Sequence, residues 1–365
     1  VNTAHGPDLR VFRTPTGLGM TRSMPLPEPR GPLSSALFAD LVGGRSISPA
    51  TLALADQAAA TPVPVADDDL QITLHTCYEL HYRGFPEVDE RWEWDPDLLR
   101  LRAVLEDRFE AALHEAADRW VDDVAPAGET VDRQLAAMVS ADDGPSLSSF
   151  MAKQADERQW AEFLTLRSVY HLKEADPHTW AIPRVTGRAK AALVEIQADE
   201  YGGGSAVRMH SALFGRLMRT FGLDDTHGTY VDAAPAEQLA TLNAMSFFGL
   251  HRRLRGATIG HLALLEMTST EPSRRYAAGL RRLAKGDDAT LFYDEHVEAD
   301  AVHEQVASVD MCGSLVRDEP QVHRDVLFGA AVALELETRA GARVLQEWTS
   351  GRTALRTVAG VPAHA

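Results

Sequence analysis

Between residues 70 and 350 apolar positions recur every three or four residues, in windows at about 70–83, 96–121, 130–139, 147–174, 178–202, 206–221, 235–255, 257–285, 288–309 and 318–350. That spacing predicts amphipathic helices. Strand-like alternation is almost absent, and breakers divide the windows: Asp176-Pro177, Gly202 to Gly204, Gly222, Pro235, Gly256, Gly286 and Gly313. Asp95 followed by Pro96 forms an N-cap and a proline suited to a first helical turn. Connections this short join antiparallel neighbours, so the pattern predicts an all-α bundle with about seven helices in its core. Residues 1–69 are rich in Pro, Gly and Ala ("PLPEPRGPL", "TPVPVADDD") and predict an extended arm with one short helix near 47–59. The expected division is arm (1–69), accessory helices (70–146), main helical domain (147–352) and flexible tail (353–365).

Composition narrows the chemistry. A chain of 365 residues with 45% hydrophobic content has material for a large core, and no window is apolar enough to span a membrane. The formal charge of −17 argues against nucleic acid or an anionic membrane as partner. With no secretory h-region in "VNTAHGPDLRVFRTPTG", a cytoplasmic location is expected. Cys77 and Cys312 are too few for a disulfide framework or a thiolate metal site, so a transition metal would be held by His, Asp and Glu.

The segment "YDEHVEADAVHEQ" sets His296, Asp300 and His303 on one helix face at i, i+4 and i+7. Their angular spread is within about 60°, but the outer two lie roughly 10 Å apart along the axis. That is too far for one ion and suits a pair of ions about 4 Å apart. Neighbouring helices must then supply carboxylates. Glu174 in "YHLKEADPHTW" precedes Pro177, and Glu200 and His210 flank the glycine run in "ADEYGGGSAVRMH". Glutamates and histidines from separate bundle helices are how carboxylate-bridged di-iron cores are built. Glu266, among apolar residues in "GHLALLEMTS", would stand behind the ligands, serve as an additional one, or hydrogen-bond a helix end. His75 and Glu79, at i and i+4 in "LHTCYELHYRGF", would form a second metal pair, support the main site, or make a structural ion pair or dimer contact. The Gly202 to Gly204 run follows a helix and no Lys-Ser/Thr follows it, so it reads as a helix break and not a phosphate loop. No G-x-S-x-G elbow or H-E-x-x-H motif occurs.

The stretches "RSVYHLKEADPHTW", "EIQADEYGGGSAVRMHSALF", "FFGLHRRLRGATIGHLALLEMTS" and "FYDEHVEADAVHEQ" resemble the haem-oxygenase-like di-iron oxidases and oxygenases, the iron-containing redox enzymes, over roughly residues 150–350. The resemblance implies that residues 147–352 form a haem-oxygenase-like iron-binding domain. It also implies a metal set of Glu174, Glu200, His210, His296, Asp300 and His303. By the family's pattern Glu200 bridges, His210 and His303 hold one Fe(II), and Glu174, His296 and Asp300 hold the other. Several members carry a glutamate three residues before the second-helix His, where this chain has Val207. The Glu174/His296/Asp300 iron is therefore expected to be the weaker of two. The implied function is a biosynthetic, non-haem iron oxidoreductase using O2 as co-substrate on a small metabolite, by N-oxygenation of an amine or amino acid or by oxidative C–C cleavage, with desaturation a further outcome. A homodimer and an external electron donor are expected. The alternatives are a cofactorless or single-metal enzyme of the same fold and a non-catalytic helical dimerisation or binding module.

Overall fold

The computed structural model describes residues 24–44, 46–124 and 129–356, except for the side chains of 299–302. The helices are α1 (Pro32–Gly43), α2 (Pro49–Ala58), α3 (Asp68–Glu79), α4 (Pro96–Val124), α5 (Val131–Ser140), α6 (Leu147–Lys153), α7 (Glu157–His171), α8 (Asp176–Thr179) and α9 (Gly187–Glu200). They continue as α10 (His210–Thr220), α11 (Ala236–Leu250), α12 (Arg255–Arg282), α13 (Asp287–Gln305), α14 (Ser314–Asp318) and α15 (His323–Thr349). No strand occurs among the described residues, and no helix there is long and apolar enough to cross a membrane.

The ends of these helices follow local chemistry. Asp95 accepts from the backbone N–H groups of Asp97 and Leu98, capping α4 as its sequence predicts. The single window expected over 147–174 is two helices, because Asp156 and Gln159 form a reciprocal capping box that starts α7 afresh. In the 178–202 window, Pro183 interrupts the chain and the left-handed Gly187 (φ +59°) opens α9. Beyond α13 the hydrogen-bond ladder widens to a π-helix over Val306–Gly313.

Two expectations about the chain's ends need correction. The described part of the arm is not extended. Pro32 starts α1, Leu33, Leu37, Phe38 and Leu41 bury one face, and Leu33 and Ser34 donate their N–H groups to Asp69 of α3. Arg30 reinforces this junction with an ion pair to Asp68 at 2.9 Å. The helix near 47–59 is α2. Residues 353–356 are likewise packed: the Ala354 N–H donates to Glu162, and the Arg356 N–H to the Ala233 carbonyl. Residues 1–23 and 357–365 lie outside the described residues.

α12 forms the spine, packing along α15 on one side and α13 on the other. α12 and α15 come together backbone to backbone. A β-carbon built at Gly260 would overlap the Val326 carbonyl, and one at Gly329 would overlap the Ala257 carbonyl. Only glycine permits this approach, and α12 and α13 carry ligand-type residues. Gly260→Ala is therefore expected to destabilise the fold by about 1–3 kcal/mol or more, whereas Gly286→Ala, with nothing within 4 Å of the new carbon, should change little. Thermal unfolding of the two variants checks this, and equal Tm values would contradict it.

Candidate metal centre

Glu174 sits in the turn after α7, with its carboxylate buried. The residue before it is fastened: Lys173 Nζ lies 2.6 Å from Glu79 Oε2 at the end of α3 and 4.1 Å from the Tyr82 ring centre. Glu174 Oε1 lies 2.7 Å from His171 Nδ1 and 3.8 Å from His296 Nε2. Burial pushes this carboxyl up, but His171 and His296 outweigh it and hold it well below the usual range.

Glu200 is the last residue of α9 and His210 the first of α10. Gly202, at φ +65°, lets the loop fold back so closely that a β-carbon would lie 2.6 Å from the Arg208 and Met209 backbone. The return brings His210 Nδ1 to 3.0 Å from Glu200 Oε2, and Glu200 raises the His210 pKa against the opposing effect of burial. Neither of these atoms makes an aligned hydrogen bond, and buried Glu174 Oε2 has no hydrogen-bond partner. Leaving such atoms unsatisfied costs about 1–3 kcal/mol each, a cost that a cation among them would remove.

His296, on α13, donates Nδ1–H to the Phe292 carbonyl at 2.7 Å, so Nε2 is the nitrogen that would ligate a metal. Its ring centre is 4.4 Å from that of His210. One ligand atom from each of Glu174, His210 and His296 can be chosen so that all lie within 4.8 Å of one another. Bonds to imidazole nitrogen and carboxylate oxygen of about 2.0–2.2 Å place ligands of one ion slightly closer than this, so small side-chain rotations would close the set. Two imidazoles and a carboxylate, with Glu200 beside them, suit Fe(II) among other borderline cations. The residues fit the group.

A cavity of about 40 Å³ adjoins the set, walled by Tyr170, Glu174, His178, Glu200, Glu266 and His296 together with Leu262 and Leu265. Glu266 projects from α12, and burial raises its carboxyl pKa. His178 Nε2 is 3.2 Å from His261 Nδ1, and burial holds both imidazoles neutral, with His261 pushed down to about 3.

Residues 161–338 match the family model of the iron-containing redox enzymes. That segment belongs to the iron-containing redox enzymes. Its all-α bundle is their haem-oxygenase-like fold. The chain is also similar to a nitrosourea synthase of Streptomyces achromogenes subsp. streptozoticus, at 24% identity over 262 residues. The match covers 68% of this chain and 55% of that protein, so the chain spans about half the length of its relative.

Within the iron-containing redox enzyme segment, the structure groups the ligand candidates differently from the family pattern applied to the sequence. His210 converges with Glu174 and His296. Two of the three residues assigned to the weaker iron, Glu174 and His296, thus come together with His210, which the family pattern assigns to the other iron. His303 lies on α13 with Nε2 2.9 Å from Asp199 Oδ2 and Nδ1 3.3 Å from Glu266 Oε2. The Asp300 side chain lies outside the described residues. Val207 is 72% exposed on the turn before α10, so that position faces solvent and not the ligands. Glu79 lines no part of the cavity; it is committed to Lys173 and to His227 at 3.3 Å, and burial and Lys173 push the His75 pKa down to about 3.

Sequence reasoning did not single out His171, Lys173 or Asp199. His171 lies three positions before Glu174, a spacing that helical-face reasoning of the kind applied to His296, Asp300 and His303 could have tested. The Lys173–Glu79 contact spans 94 positions and leaves no local trace.

Glu79 supplies a stability prediction. Burial would raise its pKa, but Lys173 and His227 outweigh that and hold it well below the ordinary 4.5. A depressed carboxyl stabilises the fold above its unfolded value and loses that contribution as pH falls through the folded one. Glu79→Gln strands the buried Lys173 ammonium and is expected to cost about 3–5 kcal/mol at neutral pH. In chemical denaturation the gap between parent and variant should narrow as pH is lowered from about 5 toward 3. A gap unchanged over that range would contradict the ion pair.

Proposed function

We propose that the protein is a non-haem iron oxidase or oxygenase that uses O2 to oxidise a small amine or amino acid. The observation carrying this reading is the convergence of Glu174, His210 and His296 inside the family-matched segment, beside the unsatisfied atoms Glu174 Oε2, Glu200 Oε2 and His210 Nδ1. The name of the similar protein, a nitrosourea synthase, supports oxidation at nitrogen, with oxidative C–C cleavage the second outcome to assay.

Glu174, His210 and His296 would hold one iron. Glu200, Glu266 and His303 are the described residues that would serve a second. Bound iron supplies the electron-transfer chemistry with O2 that organic side chains lack. The chain's own residues do the rest. The Phe292 carbonyl fixes the His296 tautomer, Lys173 anchors the turn bearing Glu174, and Tyr170, Leu262 and Leu265 limit water at the cavity. Transfer of one oxygen atom to substrate leaves the other as water, which requires two electrons and two protons from an external donor. A one-iron enzyme is the second reading, favoured by the fact that a single ligand group converges among the described residues.

Anaerobic Fe(II) titration followed by exposure to O2 and reductant tests both readings. The parent should bind iron in two phases and consume O2. Glu174→Ala and His296→Ala should weaken the tighter phase by about tenfold or more, whereas His303→Ala should keep that phase and lose the other. A single phase in the parent, unaffected by His303→Ala, selects the one-iron enzyme. Absence of iron binding rejects both.

A further inference from the structure

A groove of about 440 Å³ opens on the surface beside the candidate metal centre, formed by His81, Tyr82 and Arg83 from the segment after α3 and by Asp176, Trp180 and Tyr201 from the family-matched segment. Three of its wall residues, Arg83, Asp176 and Tyr201, also wall a narrow crevice that reaches Glu174 and Glu200. That crevice in turn shares Glu174, Ala175 and Glu200 with the inner cavity. The three spaces form a series from solvent to the ligand set. The groove alone has the size of a small-molecule site.

The polar groups at the junction are unequally committed. Asp176 accepts from the Tyr201 hydroxyl at 2.8 Å, and that hydroxyl stands 3.1 Å from Thr179 Oγ1. Arg83 is held only loosely: its Nη2 is 3.5 Å from the Leu172 carbonyl and 3.9 Å from Asp176, and its side chain is 51% exposed. A guanidinium carries five N–H donors arranged to meet a carboxylate in a bidentate pair. Arg83 therefore has donors to offer, whereas the carboxylate beside it has less acceptor capacity left for a cationic ligand. One guanidinium offers a single positive charge, which Asp176 at 3.9 Å partly offsets, so the groove suits a monoanion better than a phosphate dianion. Half-buried Tyr82 and Trp180, with ring centres 6.5 Å apart in an edge-to-face arrangement, give the body of such a ligand an aromatic wall.

We propose that this groove docks a small carboxylic acid, its carboxylate on the Arg83 guanidinium and its body against Tyr82 and Trp180, at the outer end of the path to Glu174 and Glu200. Arg83 and Tyr82 lie outside residues 161–338 and Trp180 inside them, so the carboxylate is read by a residue that the family segment does not contain. That the docked acid goes on to be oxidised rests on the proposed iron function; the docking itself does not.

The test uses the full chain without added metal and measures binding of L-phenylalanine and 3-phenylpropionate, together with their primary amides, by saturation-transfer NMR and calorimetry. At least one acid should bind about tenfold or more tightly than its amide, as loss of a charge-assisted bidentate contact requires. Arg83→Met should abolish that preference, and Tyr82→Ala should weaken acid and amide alike. Fe(II) titration of Arg83→Met, run in parallel, should match the parent. Equal binding of acids and amides, a preference that survives in Arg83→Met, or no binding by any of the four probes overturns the proposal. If neither the parent nor Arg83→Met takes up Fe(II) while the acid preference and its loss in Arg83→Met stand, the iron function fails and the docking site remains.

Discussion

Taking a carboxylate out of water costs several kcal/mol unless cations or hydrogen bonds offset it, and this chain buries Glu174, Glu200 and Glu266 around one cavity. The offset comes from imidazoles. His171 and His296 face Glu174, His210 faces Glu200, and His303 faces Glu266. The compensation is incomplete, because Glu174 Oε2, Glu200 Oε2 and His210 Nδ1 are left without aligned hydrogen bonds. An interior assembled to be neutral and dry would not leave these polar atoms buried without aligned partners. One assembled for a cation would.

Much of the remaining structure can be understood as holding that cluster still. The glycine contact of α12 with α15 fixes the spine from which Glu266 projects, and the left-handed glycine loop turns His210 back onto Glu200. Glu79, from a helix outside the family-matched segment, fastens the lysine next to Glu174. The N-terminal helices thus contribute to the site's rigidity, and through Arg83 they line the approach to it. The same ion pair commits Glu79, buried and ligand-like in type, to a buried ammonium.

Helix positions were legible because burying one face of a helix requires a 3.6-residue period, and caps such as Asp95 signal through neighbouring residues. The folded arm was missed because α1 is short and its apolar residues are embedded in a proline-rich stretch. The face shared by His296 and His303 could be read from helical spacing, since it belongs to one element. Which partners each histidine meets could not. Pairing His210 with His296, and His303 with Asp199 and Glu266, depends on how α9, α10, α12 and α13 are rotated against one another. That rotation is set by packing spread over the whole core, so spacing along α13 alone could not show that Glu174 and His296 meet His210.

The central claim is that Glu174, His210 and His296 together hold iron. Diffraction from crystals loaded anaerobically with Fe(II), recorded on both sides of the iron absorption edge, tests it most directly. The account predicts an anomalous peak within bonding distance of Glu174, His210 and His296 that persists in a His303→Ala variant. Iron confined to the His303, Asp199 and Glu266 side of the cavity, or absent from the interior altogether, would contradict it.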